Sequence, residues 1–322
     1  MDRENGMLET LWDRYTASGL DAAASVEGLT PEGLFYLAFL AFADERYAEA
    51  EGFARRAAAE APGDALFRAG VMYLARVVRE GKHQVYVSPE GFGAFIRGGG
   101  NVGLYEATSA ALARHYPEAA FDLLDVGPGD GLALLPALTP AVRKVSLVEP
   151  AAPLLAQCTE ALAARSVAFE AFNGSGQAFV ADPAVASRRW GIVQATFSLH
   201  AVPPAERVAL LRWLREHGEA LLVAEFDAPS MEAPLSPAIV RYVLDHYRKG
   251  IAEYEGATYD TVVQGFLMPV MFGYVDRGVT RVTFEEPIGA WEAVLREAGF
   301  AQVQRVPLYP YWWADAHLLV AR

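Results

Sequence analysis

Between Phe121 and Gly131 the chain reads FDLLDVGPGDG, a short apolar run ending in an acid and then three glycines at alternate positions. A strand that delivers its end into Asp125, Gly127, Gly129 and Gly131 makes a tight turn pressed against a bound ligand. Glycine permits positive φ and leaves no Cβ in the way. LALLPAL, which follows, can begin a helix. Such a strand-to-helix turn is the usual cradle of a nucleotide-like cofactor. The dinucleotide pattern GxGxxG does not fit, because Leu132 occupies the last glycine position and the glycine falls one place early. That departure argues against NAD.

A second strand, RKVSLVEP over residues 143–150, ends at Glu149, one strand and one helix beyond the glycine turn. A carboxylate at the carboxyl end of the neighbouring parallel strand can accept both hydroxyls of a ribose. Alone, Glu149 reads equally as a surface acid before a turn proline; beside the glycine turn the ribose role is the stronger reading.

These residues resemble the class I S-adenosylmethionine-dependent methyltransferases. Asp125-x-Gly127-x-Gly129-x-Gly131 is similar to their first motif, Glu149 to their ribose acid, and WGIVQATFSLHAV, residues 190–202, to their fourth strand. The similarity covers roughly residues 100–227 and 287–322. It implies an α/β fold: a Rossmann-like, seven-stranded, mostly parallel sheet with a terminal antiparallel strand. It implies S-adenosyl-L-methionine as cofactor, Asp125 orienting its methionine end, and Pro150, Asn173, Gly174 and Phe197 on the loops around it. Asn173 or the adjacent backbone would face adenine, although the Asp that many relatives carry in that loop is missing. Tyr105, just upstream of the first core strand, is a wall or hydrogen-bond donor for the methionine part, or simply a packed aromatic.

Composition agrees with an intracellular enzyme. A chain of 322 residues with 53% hydrophobic content can bury a full α/β core and a smaller second unit. One cysteine, Cys158, excludes an intrachain disulfide and a cysteine-based zinc cluster. No apolar run approaches about 18 residues, and MDRENGMLET is unlike a signal peptide, so the reading is cytoplasmic, with no membrane partner. A formal charge of −13 works against a nucleic-acid partner. The histidines and carboxylates show no metal-ligand clustering.

The expected domains are a helical one over 1–100 and a methyltransferase one over 101–322. Thr30-Pro31-Glu32 is a good helix start, with a hydroxyl cap, a proline in the first turn and an acid at the positive end. From there to residue 64 the chain resembles one tetratricopeptide repeat, with Leu34, Leu37 and Ala38 in one helix and Tyr47, Ala50, Ala54 and Ala57 in the next. One repeat cannot build a long peptide groove. Two readings stay open: a helical appendage packed on the core or forming a homodimer, and a peptide-docking module. Residues 81–101, with Ser88-Pro89-Glu90-Gly91 and Gly98-Gly99-Gly100-Asn101, read as a bridge of turns.

An insertion over 228–287 hangs from the carboxyl end of the fifth strand, where ligands of open α/β sheets bind. Rich in aromatics, it reads as a substrate cap, as a subunit interface or as plain core. Tyr254 and Tyr259 within it, Trp312 near the C-terminus and Asp227 at the end of VAEFD are the acceptor-binding candidates. His200, just past the fourth strand in FSLHAV, is the candidate base, because imidazole titrates near neutral pH. The other reading is a structural histidine that caps a helix or holds a cofactor loop. The expected reaction is methyl transfer to oxygen or nitrogen of a small aromatic or amine-bearing metabolite. The alternatives are carbon methylation and a non-catalytic interaction protein that keeps the fold.

Overall fold

The computed structural model describes residues 2–82 and 89–322. They form two compact units, one of residues 1–101 with 231–281, the other of residues 102–230 with 282–322.

The first unit is helical. It opens with α1 (Asp2–Ser18) and α2 (Leu20–Ala24), followed by the expected pair α3 (Pro31–Ala43) and α4 (Tyr47–Glu60), and then α5 (Ala65–Glu80) and α6 (Pro89–Ile96). Thr30 caps α3 by accepting from the Gly33 N–H, and Asp64 caps α5 by accepting from Leu66 and Phe67. Pro89 opens a helix, so the bridge of turns expected over 81–101 contains α6; proline's fixed φ suits a first helical turn. Ser88, from the same expected turn, lies outside the described residues.

Every residue from Gly33 to Ala43 is buried, so α3 is the axis of this unit. The small face of α4, Ala50, Ala54 and Ala57, lets it approach closely. On α5, a Cβ at Gly70 would come within 2.6 Å of the Phe35 ring. The insertion contributes residues 231–281 to this same unit as α12 (Pro237–Ala252), α13 (Ala257–Val262) and α14 (Met268–Gly273). Phe272 of α14 packs against Phe35, Phe39, Phe42 and Tyr73, with ring centroids 5.0 to 6.3 Å apart. Phe272 thereby fills the face between α3 and α5. A π-helical turn, Val263–Leu267, precedes Pro269. Proline has no N–H to offer that turn, and Arg76 donates to the Gln264 carbonyl there at 2.6 Å.

The second unit is a seven-stranded sheet in the order β3-β2-β1-β4-β5-β7-β6. Its strands are β1 (Phe121–Val126), β2 (Val142–Val148), β3 (Ala168–Phe172), β4 (Trp190–Thr196), β5 (Gly218–Phe226), β6 (Val303–Pro310) and β7 (Asp315–Ala321). The first five pair in parallel, and β7 runs antiparallel between β5 and β6. This is the sheet and the terminal hairpin that the resemblance implied. Two apolar layers, one on Trp291, Leu210 and Val223, the other on Leu112, Leu134 and Leu222, cover the faces. The covering helices include α7 (Gly100–His115), α9 (Ala152–Ala164), α11 (Pro204–His217) and α15 (Ile288–Glu297). Two are shorter: α10 (Gly176–Val180), capped by Ser175, and α8 (Leu134–Ala137), a single turn where the sequence suggested a helix running to about 138. Strand order reverses between β1 and β4, and a crevice at their carboxyl ends is where such sheets bind ligands.

Candidate active site

The glycine turn leaves β1 at that switch point. Gly127, Gly129 and Gly131 take φ of 78°, 58° and 89°, the left-handed region that only glycine enters freely. At Gly127 the need is double, since a Cβ would lie 2.4 Å from that of Ser198, whose hydroxyl donates to the Val126 carbonyl. A Cβ at Gly129 would meet nothing within 4 Å, so the turn presents open backbone there.

Glu149, at the end of β2, is 6% exposed. One oxygen accepts from the Gly129 N–H at 3.0 Å and the other from the Ala151 N–H at 2.8 Å. The acid thus ties the glycine turn to its own loop, and each oxygen keeps a lone pair for a further donor. Asn173 donates to the carbonyls of Glu149 and Pro150, and the Gly174 N–H donates to the Glu149 carbonyl. The Asn173 amide nitrogen is spent on holding two loops together, which leaves its oxygen as the polar group for a ligand. A Cβ at Gly174 would lie 2.5 Å from the Phe172 ring, which is why the loop needs glycine.

Asp125 is fully buried. Its Oδ2 accepts from Gln194 Nε2 at 2.7 Å, and its Oδ1 has no hydrogen-bond partner. Burial raises its pKa to about 7, against the Gln194 bond and with help from the Glu149 charge. A turn of open backbone, a ribose-type acid and an orphaned acceptor one strand away fit a cofactor with a diol and a cationic end.

Phe197 follows β4 with φ of 51°, an uncommon conformation for a bulky residue. Its ring stacks on Phe226 at 4.7 Å and takes the edge of Tyr105 at 6.0 Å. Phe226 stacks in turn on Tyr311 at 5.3 Å, and Tyr311 leads to Trp312 and Trp313. An aromatic row therefore runs along the carboxyl ends of β4 and β5.

His200 lies three residues beyond Phe197. Its backbone N–H and ring Nδ1 both meet the carboxylate of Glu225, at 3.1 and 3.0 Å. Glu225 is 2% exposed, whereas the His200 side chain keeps 22%. Burial lowers the histidine's pKa, but the charge and hydrogen bond of Glu225 outweigh it, with Glu285 adding and Arg207 opposing, so the net shift is upward. With Nδ1–H donated to Glu225, the ring's Nε2 carries the lone pair. Arg207 donates to the carbonyls of Val202 and Phe284 and pairs with Glu286 at 2.9 Å, and Phe284 N–H donates to the His200 carbonyl. The His200 turn is thus strapped to residues 282–287.

Asp227 gives one oxygen to the Ile288 N–H at the start of α15, which accounts for its place as a helix cap. Tyr254 and Tyr259 belong to the helical unit, where the Tyr254 hydroxyl donates to the Phe95 carbonyl. Sequence reasoning overlooked Glu225, Gln194, Arg207 and Tyr116. A carboxylate and an amide inside the otherwise apolar runs EALLVAEF and WGIVQAT were the available signal. Among the described residues no group of three or more His, Cys, Asp and Glu could hold a metal ion, and no helix is long and apolar enough to cross a membrane.

No family model and no curated protein sequence matches the chain. Among solved structures it is similar to a protein of Nostoc punctiforme assigned provisionally to the O-methyltransferases, at TM-score 0.45 and 16% identity over 68% of this chain and 56% of that one. It is similar to the pyocyanin biosynthetic protein PhzM at TM-score 0.43 and 15% identity, over 69% and 54%. A third is the 1,6-didemethyltoxoflavin-N1-methyltransferase of Burkholderia thailandensis, at TM-score 0.44 and 16% identity, over 68% and 77%. The chain spans little more than half the length of the first two. Its own strand order, its antiparallel β7 and the glycine turn facing Glu149 form the Rossmann-like sheet that the resemblance to the class I S-adenosylmethionine-dependent methyltransferases implied.

Proposed function

We propose that the protein transfers a methyl group from S-adenosyl-L-methionine to a small aromatic or amine-bearing metabolite, with a hydroxyl oxygen as the favoured acceptor and nitrogen as the alternative. The observation that carries this reading is the His200–Glu225 pair beside the glycine turn and the aromatic row. When bound, the cofactor supplies a methyl group on a positively charged sulfur, which keeps the electron pair of the bond that breaks. The glycine turn and Glu149 would hold its ribose, Asp125 would face its methionine end, and Asn173 Oδ1 with the Gly174 loop would border adenine.

His200 takes the acceptor's hydroxyl proton on Nε2 as the new O–C bond forms. Glu225 fixes the tautomer and stabilises the imidazolium that results. A neutral amine needs that step less, which is why the dyad favours oxygen. The Phe197–Phe226–Tyr311 row supports a flat acceptor, since aromatic faces stack with modest geometric demands. A homodimer through the helical unit is part of this reading, and light scattering tests it directly.

The deciding experiment is turnover of a panel of phenols and matching anilines by the wild type and by His200→Ala. Phenol turnover lost in the variant, with S-adenosylhomocysteine binding retained, supports the reading. Equal loss of both activities without loss of binding overturns the oxygen preference, and no binding of the cofactor product removes the reading as a whole. Tyr254→Phe, Tyr259→Phe and Trp312→Phe test the acceptor-binding roles: a raised KM at unchanged cofactor affinity supports them.

A further inference from the structure

The buried acid of the glycine turn is held by two polar residues that methyl transfer itself does not call on. Asp125 Oδ2 accepts from Gln194 Nε2 at 2.7 Å, and Gln194 Oε1 accepts from the Tyr116 hydroxyl at 2.5 Å. The three groups come from β1, β4 and the residue just after α7, and all three are buried. A tyrosine hydroxyl that donates decides which way the amide lies: its oxygen goes to Tyr116 and its NH2 to Asp125. Gln194 is a fully buried amide in the otherwise apolar strand β4, so its presence asks for a reason. The reason is at the other carboxylate oxygen, for Oδ1 is buried with no partner, and native structures rarely leave such an atom without a hydrogen-bond donor.

We propose that Tyr116, Gln194 and Asp125 form a buried relay that offers Asp125 Oδ1 to the cationic methionine end of the cofactor and couples cofactor binding to release of a proton. This rests on the S-adenosylmethionine reading given above. Asp125 is faced by Gln194 and Tyr116, by Glu149 at the end of β2 and by Cys158 on α9, whose thiol is itself pushed up to about 12 by burial and by Asp125 and its acidic neighbours. None of these supplies a positive charge. Burial lifts Asp125 to about 7, so below that pH the free protein keeps the acid protonated. A cation arriving at Oδ1 favours the carboxylate, and the proton must leave. Affinity should then fall about tenfold between about pH 8 and about pH 6. A cofactor amine bound as its ammonium gives the opposite sign, proton uptake on the alkaline side, so the direction of proton flow separates the two sources.

The test is titration calorimetry of the full chain with S-adenosylhomocysteine, in phosphate and in Tris, across that pH range. The wild type should release a proton fraction that is largest below neutrality and fades above it. Gln194→Leu should move the midpoint of the affinity–pH curve upward, since it removes the one bond that favours the carboxylate. Tyr116→Phe, a smaller perturbation that keeps the ring packed, should move it the same way by less. Asp125→Asn should flatten the curve. Binding without proton release in the wild type overturns the relay, and so does Gln194→Leu or Tyr116→Phe binding with an unmoved midpoint. Absence of binding at every pH overturns the cofactor reading instead.

Discussion

Two arginines, half-buried Arg248 in the helical unit and buried Arg207 in the sheet unit, hold carboxylates and lie over aromatic rings, yet their surroundings treat them in opposite ways. In the helical unit Arg248 pairs with Glu32 at 2.7 Å and Asp64 at 3.0 Å, with the Phe67 ring 5.3 Å away. Burial works against its charge, but those two acids outweigh the burial and its pKa rises. In the sheet unit Arg207 pairs with Glu286 and lies 4.2 Å over Trp291. There burial wins over Glu286 and Glu225, and the pKa falls. The first arginine ties helices from distant parts of the sequence at little electrostatic cost. The second holds a turn and a strap around His200, in a unit that also carries an orphaned carboxylate oxygen and a strained phenylalanine. Unfavourable polar arrangements of this kind persist where function needs them.

The contrast breaks most visibly at His200 if it is wrong. His200→Ala should lower kcat on a hydroxyl acceptor by roughly 100- to 10,000-fold, the usual worth of a positioned base, with thermal stability and S-adenosylhomocysteine affinity close to wild type. Glu225→Gln should give a smaller loss and a diagnostic shift. Because Glu225 raises the His200 pKa, its removal should move the ascending limb of kcat/KM to lower pH. A variant that unfolds at a lower denaturant midpoint but keeps full turnover would show that the dyad is only a loop tie.

The helical unit should answer in the other currency. Phe272→Ala leaves a hole among Phe35, Phe39, Phe42 and Tyr73, and Phe→Ala changes in such cores cost about 3 to 5 kcal/mol. Chemical denaturation followed at the helix signal should show that loss, while the folded fraction binds S-adenosylhomocysteine as before. A change in affinity larger than the change in stability would mean that the helical unit takes part in cofactor binding.

Glu149→Ala should sharpen the picture of the sheet unit. The loss of a charge-assisted acceptor is worth roughly 1.5 to 3 kcal/mol, and the Gly129 and Ala151 N–H groups lose their partner as well. Calorimetry with the cofactor product should register that penalty, whereas NAD should not bind to either form. Measurable NAD competition in the wild type would sink the cofactor assignment.

How far the sequence could be read divides along the same line. The glycine turn and the parallel strands were legible because local rules dictate them: left-handed turns need glycine, and two-sided sheets need continuous apolar runs. The α3–α4 pair was legible from Thr30-Pro31 and from its alanine face. What escaped were residues whose meaning is tertiary. Glu225 meets His200 only once β4 and β5 lie side by side, and EALLVAEF by itself does not say which face its acid takes. Gln194 and Tyr116 lie 78 residues apart, and nothing local connects them. The aromatics of 231–281 looked like a binding surface because a run of them carries no address; Phe272 proves to be core of the helical unit. The π turn before Pro269 escaped because a proline usually signals an end rather than a widened turn.

The smallest effect tests whether the two units answer independently. Thr30 accepts the Gly33 N–H at 3.1 Å and closes the first turn of α3, the most buried helix of the helical unit. Replacing such a cap by alanine costs about 1 kcal/mol, because one orphan donor at the helix start loses its acceptor. Thr30→Ala should therefore lower the stability of the helical unit by about that amount. It should leave the His200-dependent rate, its pH limb and the Glu149-dependent affinity where they were, since the buried polar groups that set them all belong to the sheet unit. The measurement is a pair of curves on one sample, denaturation followed by helix signal and cofactor binding followed by calorimetry. If the cap's loss shifted the binding curve by as much as it shifted the unfolding curve, the division of labour between the two arginines' units would have to be given up. In its place would stand a single cooperative body whose cofactor site depends on the packing of α3.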